Sequence, residues 1–309
     1  MRGKIVLVRH EYPFSPQHMH RRRKYDLAVA RGAIGFLIAN PWPGKGLMSG
    51  SSGRLRGGAD IPAAYIDHAS AERIAHAPAP ARVRLVIDGE ELPGSVAGVG
   101  VLDIAGASAD KIVISAHIDG HDLGRSALDN ATGVVVALAA ARALAPRIGK
   151  ATHGLHVCFF SAEEWALAGS SRYLAGMAPD KLASLRFNIN LDTVAGDDSL
   201  TALISGFPEL AGFVEETVRL AGTPIGHYLP LMPNSDHANF AARGIPALRL
   251  LAGFDRPDSR VNAILSADDL PAVVHEDELR RAVRVTCAMA WQALTASPQT
   301  LERWARRAA

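Results

Sequence analysis

The sequence has few cysteines, no long apolar run and almost no net charge, and each of these shortages excludes a class of protein. Only two cysteines, Cys158 and Cys287, occur in 309 residues, too few for a disulfide framework or an all-thiolate zinc site. No apolar run reaches the ~18 residues that a membrane-spanning helix needs. The 33 basic and 31 acidic residues nearly cancel, so we expect neither nucleic acid nor membrane as a partner. With no signal peptide visible, we expect a cytoplasmic protein, or a secreted one if upstream sequence is missing.

What the sequence does contain is a regular alternation of short apolar strands with helices. We divide it into an N-terminal unit, residues 1–82, and a larger unit, residues 83–309, at a loose stretch that holds Pro78 and Pro80. The alternation in the larger unit predicts an α/β fold with a mixed, mostly parallel sheet and helices on both faces. Predicted strands lie at 4–8, 33–39, 61–66, 83–87, 111–116, 155–160, 187–191 and 246–251, and predicted helices at 24–32, 68–76, 131–145, 165–176, 208–221, 236–243 and 277–295.

A basic run stands just before the first predicted helix. It extends from His20 to Lys24 and reads HRRRK. Such runs are typical of solvated helix ends, and we interpret this one in that way. We assign the nearby pair His18 and His20 to a polar loop rather than to a metal site.

The residues that carry chemistry follow the predicted strands of the larger unit. His117 and Asp119 follow the strand KIVIS, Glu163 and Glu164 follow LHVCFF, and Asp192 follows FNIN. In such sheets chemistry concentrates at the carboxyl ends of the strands. Adjacent carboxylates there repel each other unless a cation lies between them. Oxygen and imidazole donors without thiolates suit zinc-like divalent ions.

Two further positions have more than one interpretation from the residues alone. Asp129, in ALDNATG before an apolar helix, is either an N-cap or a cation ligand. His237, in NSDH, is either a ligand or a hydrogen-bonded support for one. Asp119 stands two residues after His117 and is placed to accept the second ring N–H of that histidine.

The order of these motifs resembles the M28 family of zinc peptidases. The matching elements are H-x-D, an aspartate ten residues later, E-E, N-x-D and S-D-H. Residues 1–82 resemble a protease-associated (PA) domain, on the segments KIVLVRH, ARGAIGFLIAN and IPAAYI. The resemblance covers nearly the whole chain and implies a zinc-exopeptidase-like fold with a PA-like domain before it.

The resemblance also implies roles for individual residues. His117 and Asp192 would bind one zinc ion, Glu164 a second, and Asp129 both. Glu163 would be the general base, and Asp119 would orient the histidine from behind. A cis peptide bond after the bridging aspartate is a further expectation.

One segment departs from the family pattern. Many members carry Tyr-His-Thr near the C-terminus, which supplies a fifth ligand and an oxyanion donor, but here Ile264 stands in place of that histidine. We predict that His237 provides the missing nitrogen; the alternative is a weak or absent second ion. Lesser ligand candidates are His121, Asp122, His227 and His275, and candidate oxyanion donors are Tyr228 and Arg249.

The function implied is a peptide-cleaving enzyme that acts at the N-terminus of its substrate. Two alternatives within enzymes are a carboxypeptidase Q-type dipeptidase, which GHDLGRSALDN resembles, and a glutaminyl cyclase, which shares the fold. A third is a non-catalytic binding module, favoured by the missing histidine. The surviving carboxylates count against it, since buried unpaired carboxylates are costly without cations. The sequence leaves the preferred side chain and the oligomeric state open.

Overall fold

The N-terminal unit is a small parallel α/β structure. The computed structural model describes residues 1–51, 60–90 and 92–307. Its first sheet has three parallel strands in the order β1 (Ile5–Arg9), β2 (Gly35–Ala39) and β3 (Ala63–Ile66). Helices α1 (Arg21–Ala30) and α2 (His68–Ala75) accompany it. Every residue of the central strand is buried, which explains its unbroken apolar sequence. All five predicted elements of this unit are present, with ends shifted by a few residues.

The larger unit is built on a seven-stranded sheet. Two of its adjacent strand pairs are antiparallel and the other four are parallel, which confirms the mixed, mostly parallel sheet. The strands are β4 (Val99–Ile104), β5 (Lys111–His117), β6 (Gly154–Phe160), β7 (Leu185–Leu191), β8 (Leu200–Leu203), β9 (Gly226–Tyr228) and β10 (Ala247–Ala252). Their order across the sheet is β4–β6–β5–β7–β10–β8–β9. Strand β4 pairs antiparallel with β6 and β8 with β10, so β4, β8 and β9 run opposite to the other four strands.

Helices cover both faces of this sheet, as alternate residues of β7 show. Phe187 packs on Phe213 and Trp304, with ring centroids 5.0 and 5.6 Å apart. Asn190 faces the other way, and its Nδ2 donates to Ser235 Oγ at 2.8 Å. The helices are α3 (Thr132–Leu144), α4 (Ala168–Ala175), α5 (Pro179–Ser184), α6 (Leu210–Ala221), α7 (His237–Ala241), α8 (Glu276–Leu294) and α9 (Pro298–Trp304).

The most apolar helical stretch belongs to the core. Residues Ala127–Arg147, which include α3, are long and apolar enough by composition to cross a bilayer. However, 61% of the most apolar window of this stretch is buried within the fold. Helix α3 packs on α8 and on the three strands β5, β6 and β7. Its apolar character is therefore accounted for by the protein interior.

The predicted strand at 83–87 is wrong. The described residues between 76 and 98 form no helix or strand, and the side chains of Val86 and Ile87 are 68% and 55% exposed. The position beside β6 is occupied instead by β4, which pairs with it antiparallel. Strands β4, β8 and β9 escaped prediction because they lie towards the sheet margins and are short or exposed. The proposed boundary at residue 82 lies in this irregular stretch and stays a prediction.

Loops of the N-terminal unit pack on the larger unit. The Tyr12 hydroxyl donates to the Gly253 carbonyl at 2.6 Å, and the Ser49 N–H donates to the Leu265 carbonyl at 2.7 Å. Tyr12 and Phe14 are buried in the main hydrophobic core. The smaller unit is thus fastened against loops that follow β10.

Candidate metal centre

Strand register brings the predicted site residues to one level of the sheet. His117, the last residue of β5, lies opposite Phe160, the last residue of β6. Ser115 on β5 pairs with Asn190 on β7, so β7 also ends at this level. Glu163, Glu164 and Asp192 follow directly on these ends, which meet because the three strands are parallel.

Five of the predicted side chains converge into two overlapping groups. In each group, one donor atom per residue lies within 4.8 Å of the others: His117, Asp129 and Glu164 in the first, and His117, Glu163 and Asp192 in the second. His117 Nε2 lies 3.0 Å from Asp129 Oδ1 and 3.7 Å from Asp192 Oδ1. All five residues are buried. The convergence expected from the sequence is therefore present.

Asp129 is held in place by a partner that sequence reasoning missed. The Asp269 carboxylate accepts the N–H groups of Leu128 at 2.7 Å and Asp129 at 3.2 Å. The bond between Asp129 and Asn130 is cis, as expected. Burial raises the pKa of Asp269 to about 6, and the nearby charge of Asp129 adds to the shift. Nothing in the spacing of Asp269 from the other motifs indicated this contact.

Asp119 links the histidine to both glutamates. Its backbone carbonyl lies 3.0 Å and its carboxylate 3.4 Å from His117 Nδ1. The same carboxylate accepts the backbone N–H groups of Glu163 and Glu164 at 3.2 and 3.1 Å. When the Nδ1–H group of His117 donates to Asp119 in this way, Nε2 is left unprotonated and available as a metal ligand.

Arg249 is committed to Asp192. Its Nη2 lies 3.0 Å from Asp192 Oδ1, and other donors reach the carbonyls of Asp192 and Asn234. Although burial opposes it, the charge of Arg249 holds the pKa of Asp192 well below its usual range. Because its donors are engaged, Arg249 does not fit the role of oxyanion donor. Tyr228 lies on β9, with its ring on Phe254 at a centroid distance of 5.0 Å.

The structure does not bring His237 into either group of candidate ligands. Its ring is fully buried at the start of α7, where burial and the charge of Arg249 lower its pKa to about 3. Another imidazole does reach the site: His121 Nε2 lies 2.7 Å from Glu164 Oε2, and His121 Nδ1 lies 2.9 Å from Ser49 Oγ. Three lesser candidates are exposed and outside both groups: Asp122, His227 and His275.

The site opens into a pocket that both units line. The space between the lining residues is about 460 Å³ when the solvent-open mouth is included. The carboxylates form one side, and Ile264 is part of the wall. The N-terminal unit contributes Pro13, Phe14, His20, Arg21 and Arg22.

The basic run is therefore more than a solvated helix end. Arg21 and Arg22 are only partly exposed and face the pocket, whereas Arg23 is exposed. The helix starts at Arg21 because His20 caps it, with Nδ1 accepting the Arg22 N–H at 3.2 Å. Sequence periodicity could not have indicated this burial, because the covering surface comes from a distant part of the chain.

The donor set fits divalent cations. Glu164 Oε1 is buried and has no hydrogen-bond partner among the described residues. His117 Nε2 approaches Asp129 yet makes no aligned hydrogen bond, as expected for two ligands of one ion. Although burial lowers it, the surrounding carboxylates raise the pKa of His117 well above its ordinary value. Nitrogen and oxygen donors of this kind suit zinc.

Fold and site together define an α/β protein with a carboxylate-rich metal-type centre at the carboxyl ends of its parallel strands. Sequence-model matches assign the family: residues 100–290 match peptidase family M28, and residues 1–74 match the PA domain. The chain belongs to peptidase family M28.

Several named proteins are similar to this chain. A probable lipoprotein aminopeptidase of Mycobacterium tuberculosis is 26% identical over 285 residues, which cover 85% of this chain and 54% of that protein. A probable leucine aminopeptidase of Aspergillus fumigatus is 26% identical over 270 residues, covering 81% and 51%. The chain thus spans about half the length of these relatives.

Solved structures show the same fold. The structural match to a zinc aminopeptidase from Bacillus subtilis covers 96% of this chain and 71% of the aminopeptidase chain, with a TM-score of 0.69 and 19% sequence identity. An aminopeptidase from Aneurinibacillus sp. strain AM-1 matches 96% and 70%, with a TM-score of 0.64 and 22% identity. Both matches span the N-terminal unit as well as the larger one, since they cover nearly the whole chain.

Proposed function

We propose that this chain is a zinc-dependent exopeptidase that hydrolyses the N-terminal peptide bond of its substrate. The observation that carries the proposal is the convergence of one imidazole and four carboxylates, with all four carboxylates lining a single pocket. Family membership supports it, as do the names of the relatives, which are aminopeptidases.

Two ions would share the site through Asp129. His117 and Asp192 would complete the first set of ligands, and Glu164 would belong to the second. Zinc bound there would polarise the scissile carbonyl and lower the pKa of the attacking water. The second set has fewer protein ligands, because Ile264 replaces the family histidine and His237 stays outside both groups.

Glu163 is the proposed general base. It is 6% exposed, and burial together with the charges of Glu164 and Asp192 raises its pKa well above the ordinary value. A carboxylate with a raised pKa accepts a proton readily and can release it again near neutrality. Glu163 would take a proton from the attacking water and return it to the leaving amine. The free amine of the substrate would lie near the remaining carboxylates, which restricts cleavage to the chain end.

The test is metal removal and restoration on purified protein. We expect two zinc equivalents per chain by mass spectrometry, loss of dipeptide and aminoacyl-anilide hydrolysis on chelation, and recovery with zinc or cobalt. Hydrolysis that persists after metal content has fallen to background would overturn the metal mechanism.

Zinc content, peptide hydrolysis and glutamine cyclisation, measured on the same protein, separate the cyclase and the binding module from the proposal. A zinc-loaded protein that cyclises N-terminal glutamine without hydrolysing peptides would be a cyclase. A protein that binds no metal and cleaves nothing would be a binding module. Either result would replace the proposal.

A further inference from the structure

Arg22 is a charged group in the pocket that makes no ion pair with any described residue. It lies in the first turn of α1 and lines the pocket together with Glu163 and Glu164. No ion pair joins it to any described residue, and its Nε is buried without a hydrogen-bond partner there. Arg21, beside it, is partly engaged, with its Nε donating to the Ser51 carbonyl at 2.7 Å.

The carboxylates of the site are not a sufficient partner for this guanidinium. Glu163 and Glu164 attract it, but neither comes within ion-pair distance of it among the described residues. Cations bound to those carboxylates would offset their charge and leave Arg22 facing a positive site. A partly buried guanidinium is costly to keep unpaired, so an anionic group from the ligand is its complement.

The position of Arg22 indicates where that group lies on the substrate. The metal-binding carboxylates belong to the larger unit, whereas Arg22 extends into the same pocket from the N-terminal unit. A substrate whose amine faces the carboxylates extends its other end towards Arg22. Because Arg22 lines the same pocket as Glu163 and Glu164, the matching anionic group belongs close to the scissile bond.

We infer that Arg22 binds a carboxylate of the substrate close to the scissile bond, so that the preferred substrates are dipeptides or peptides with an acidic residue next to the cleaved bond. The inference rests on the proposed function. Guanidinium and carboxylate match as planar bidentate partners. The carboxylate has two sources: the α-carboxylate of a dipeptide or the side chain of the second residue.

Three substrates distinguish these sources: Leu-Leu, Leu-Leu-amide and Leu-Glu-amide. We expect the wild-type enzyme to prefer a carboxylate-bearing substrate over Leu-Leu-amide by about tenfold to a hundredfold in kcat/KM, mainly through KM, as for a charge-assisted hydrogen bond. Preference for Leu-Leu alone identifies the α-carboxylate, and preference for Leu-Glu-amide identifies the side chain.

The variants test the residue. Arg22→Ala should abolish the preference, Arg22→Lys should retain part of it, and Arg23→Ala, a matched change at the exposed neighbour, should leave it intact. No preference in the wild-type enzyme would overturn the inference. If Arg22→Ala lowered kcat equally on all three substrates, the inference would also be overturned. Such a uniform loss is expected of a residue that acts on the reacting carbonyl and not of one that binds a carboxylate.

A binding measurement separates this inference from the proposed function. Calorimetry on the zinc-loaded Glu163→Gln variant, with and without Arg22→Ala, measures the affinity for Leu-Leu and Leu-Leu-amide without turnover. The same titration with Leu-Glu-amide covers the side-chain source. Tighter binding of either carboxylate-bearing ligand that depends on Arg22, in a protein whose wild-type form cleaves no peptide, would keep the carboxylate site and reject the peptidase. Cleavage of all three substrates, with equal affinity for all three, would do the reverse. Thermal unfolding and zinc content verify that each variant is folded.

Discussion

The two units of this molecule serve the same pocket by different structural means. In the larger unit, parallel strands end at one level, and residues at or beyond these ends supply the carboxylates and the histidine. In the N-terminal unit, the first turn of helix α1 supplies the basic side chains Arg21 and Arg22. The larger unit thus contributes the candidate ligands, and the N-terminal unit contributes basic side chains to the same pocket.

The units also differ in how they tolerate buried charge. The larger unit buries an arginine, a histidine and several carboxylates in one network, with Arg249 and Asp192 2% exposed each. The N-terminal unit buries His10 as a neutral ring, since burial and the charges of Arg21 and Lys24 lower its pKa to about 3. The buried charges of the larger unit depend on ion pairing, whereas His10 is buried because it loses its proton. Separate substitutions can therefore disrupt the two arrangements.

The largest expected effect is on turnover, in the larger unit. Glu163→Gln removes the proposed base and keeps the volume, so kcat should fall by about 10²- to 10⁴-fold with zinc content unchanged. The matched change Glu164→Gln should instead lower zinc content, because that oxygen is a proposed ligand. Steady-state kinetics and metal analysis on both variants test the division. Full turnover in Glu163→Gln would remove this residue from the base role.

The next effect is on stability and concerns the buried ion pair. Arg249→Met leaves Asp192 buried without its cation, so the metal-free protein should lose about 3–5 kcal/mol of unfolding free energy. The control is Arg186→Met. Arg186 pairs with Asp110 at 3.2 Å, but the two side chains are 26% and 23% exposed, so about 0–1 kcal/mol is expected. Denaturant unfolding measures both, and equal losses would contradict the contrast.

The smallest effect is a pH dependence in the N-terminal unit. The pKa of His10 is about 3 in the folded protein and near 6.5 when unfolded. The folded state therefore excludes a proton that the unfolded state binds, and stability present above pH 6.5 is lost as the pH falls towards 3. Between pH 7 and pH 4, the wild-type protein should lose up to about 3 kcal/mol more than His10→Leu.

An exposed histidine provides the control for this titration. The side chain of His76 is 77% exposed, so His76→Leu should leave the pH dependence of unfolding as it is in the wild-type protein. The measurement is denaturant unfolding at a series of pH values. A His10→Leu variant with the wild-type slope would show that another group causes the acid sensitivity.

The structure brings together the predicted residues that follow strong strands, whereas contacts made through loops were not foreseen from the sequence. His117, Glu163, Glu164 and Asp192 directly follow apolar strands whose parallel arrangement was readable, so their convergence could be expected. His237 also precedes such a strand, but it lies at the start of a helix and its ring is enclosed outside both ligand groups. Asp269 supports Asp129 across 140 positions of sequence, a distance at which no local pattern carries information.

By itself, the sequence determined the kind of sheet, its order of strong strands and helices, and the set of donors at the strand ends. These follow from hydrophobic periodicity and from chemistry confined to short segments. Only the tertiary structure decided that Arg22 faces the pocket, that Asp269 holds Asp129, and that His121 rather than His237 reaches Glu164. The reason is physical: such contacts join loops that approach each other only after the sheets have formed and the two units have packed together.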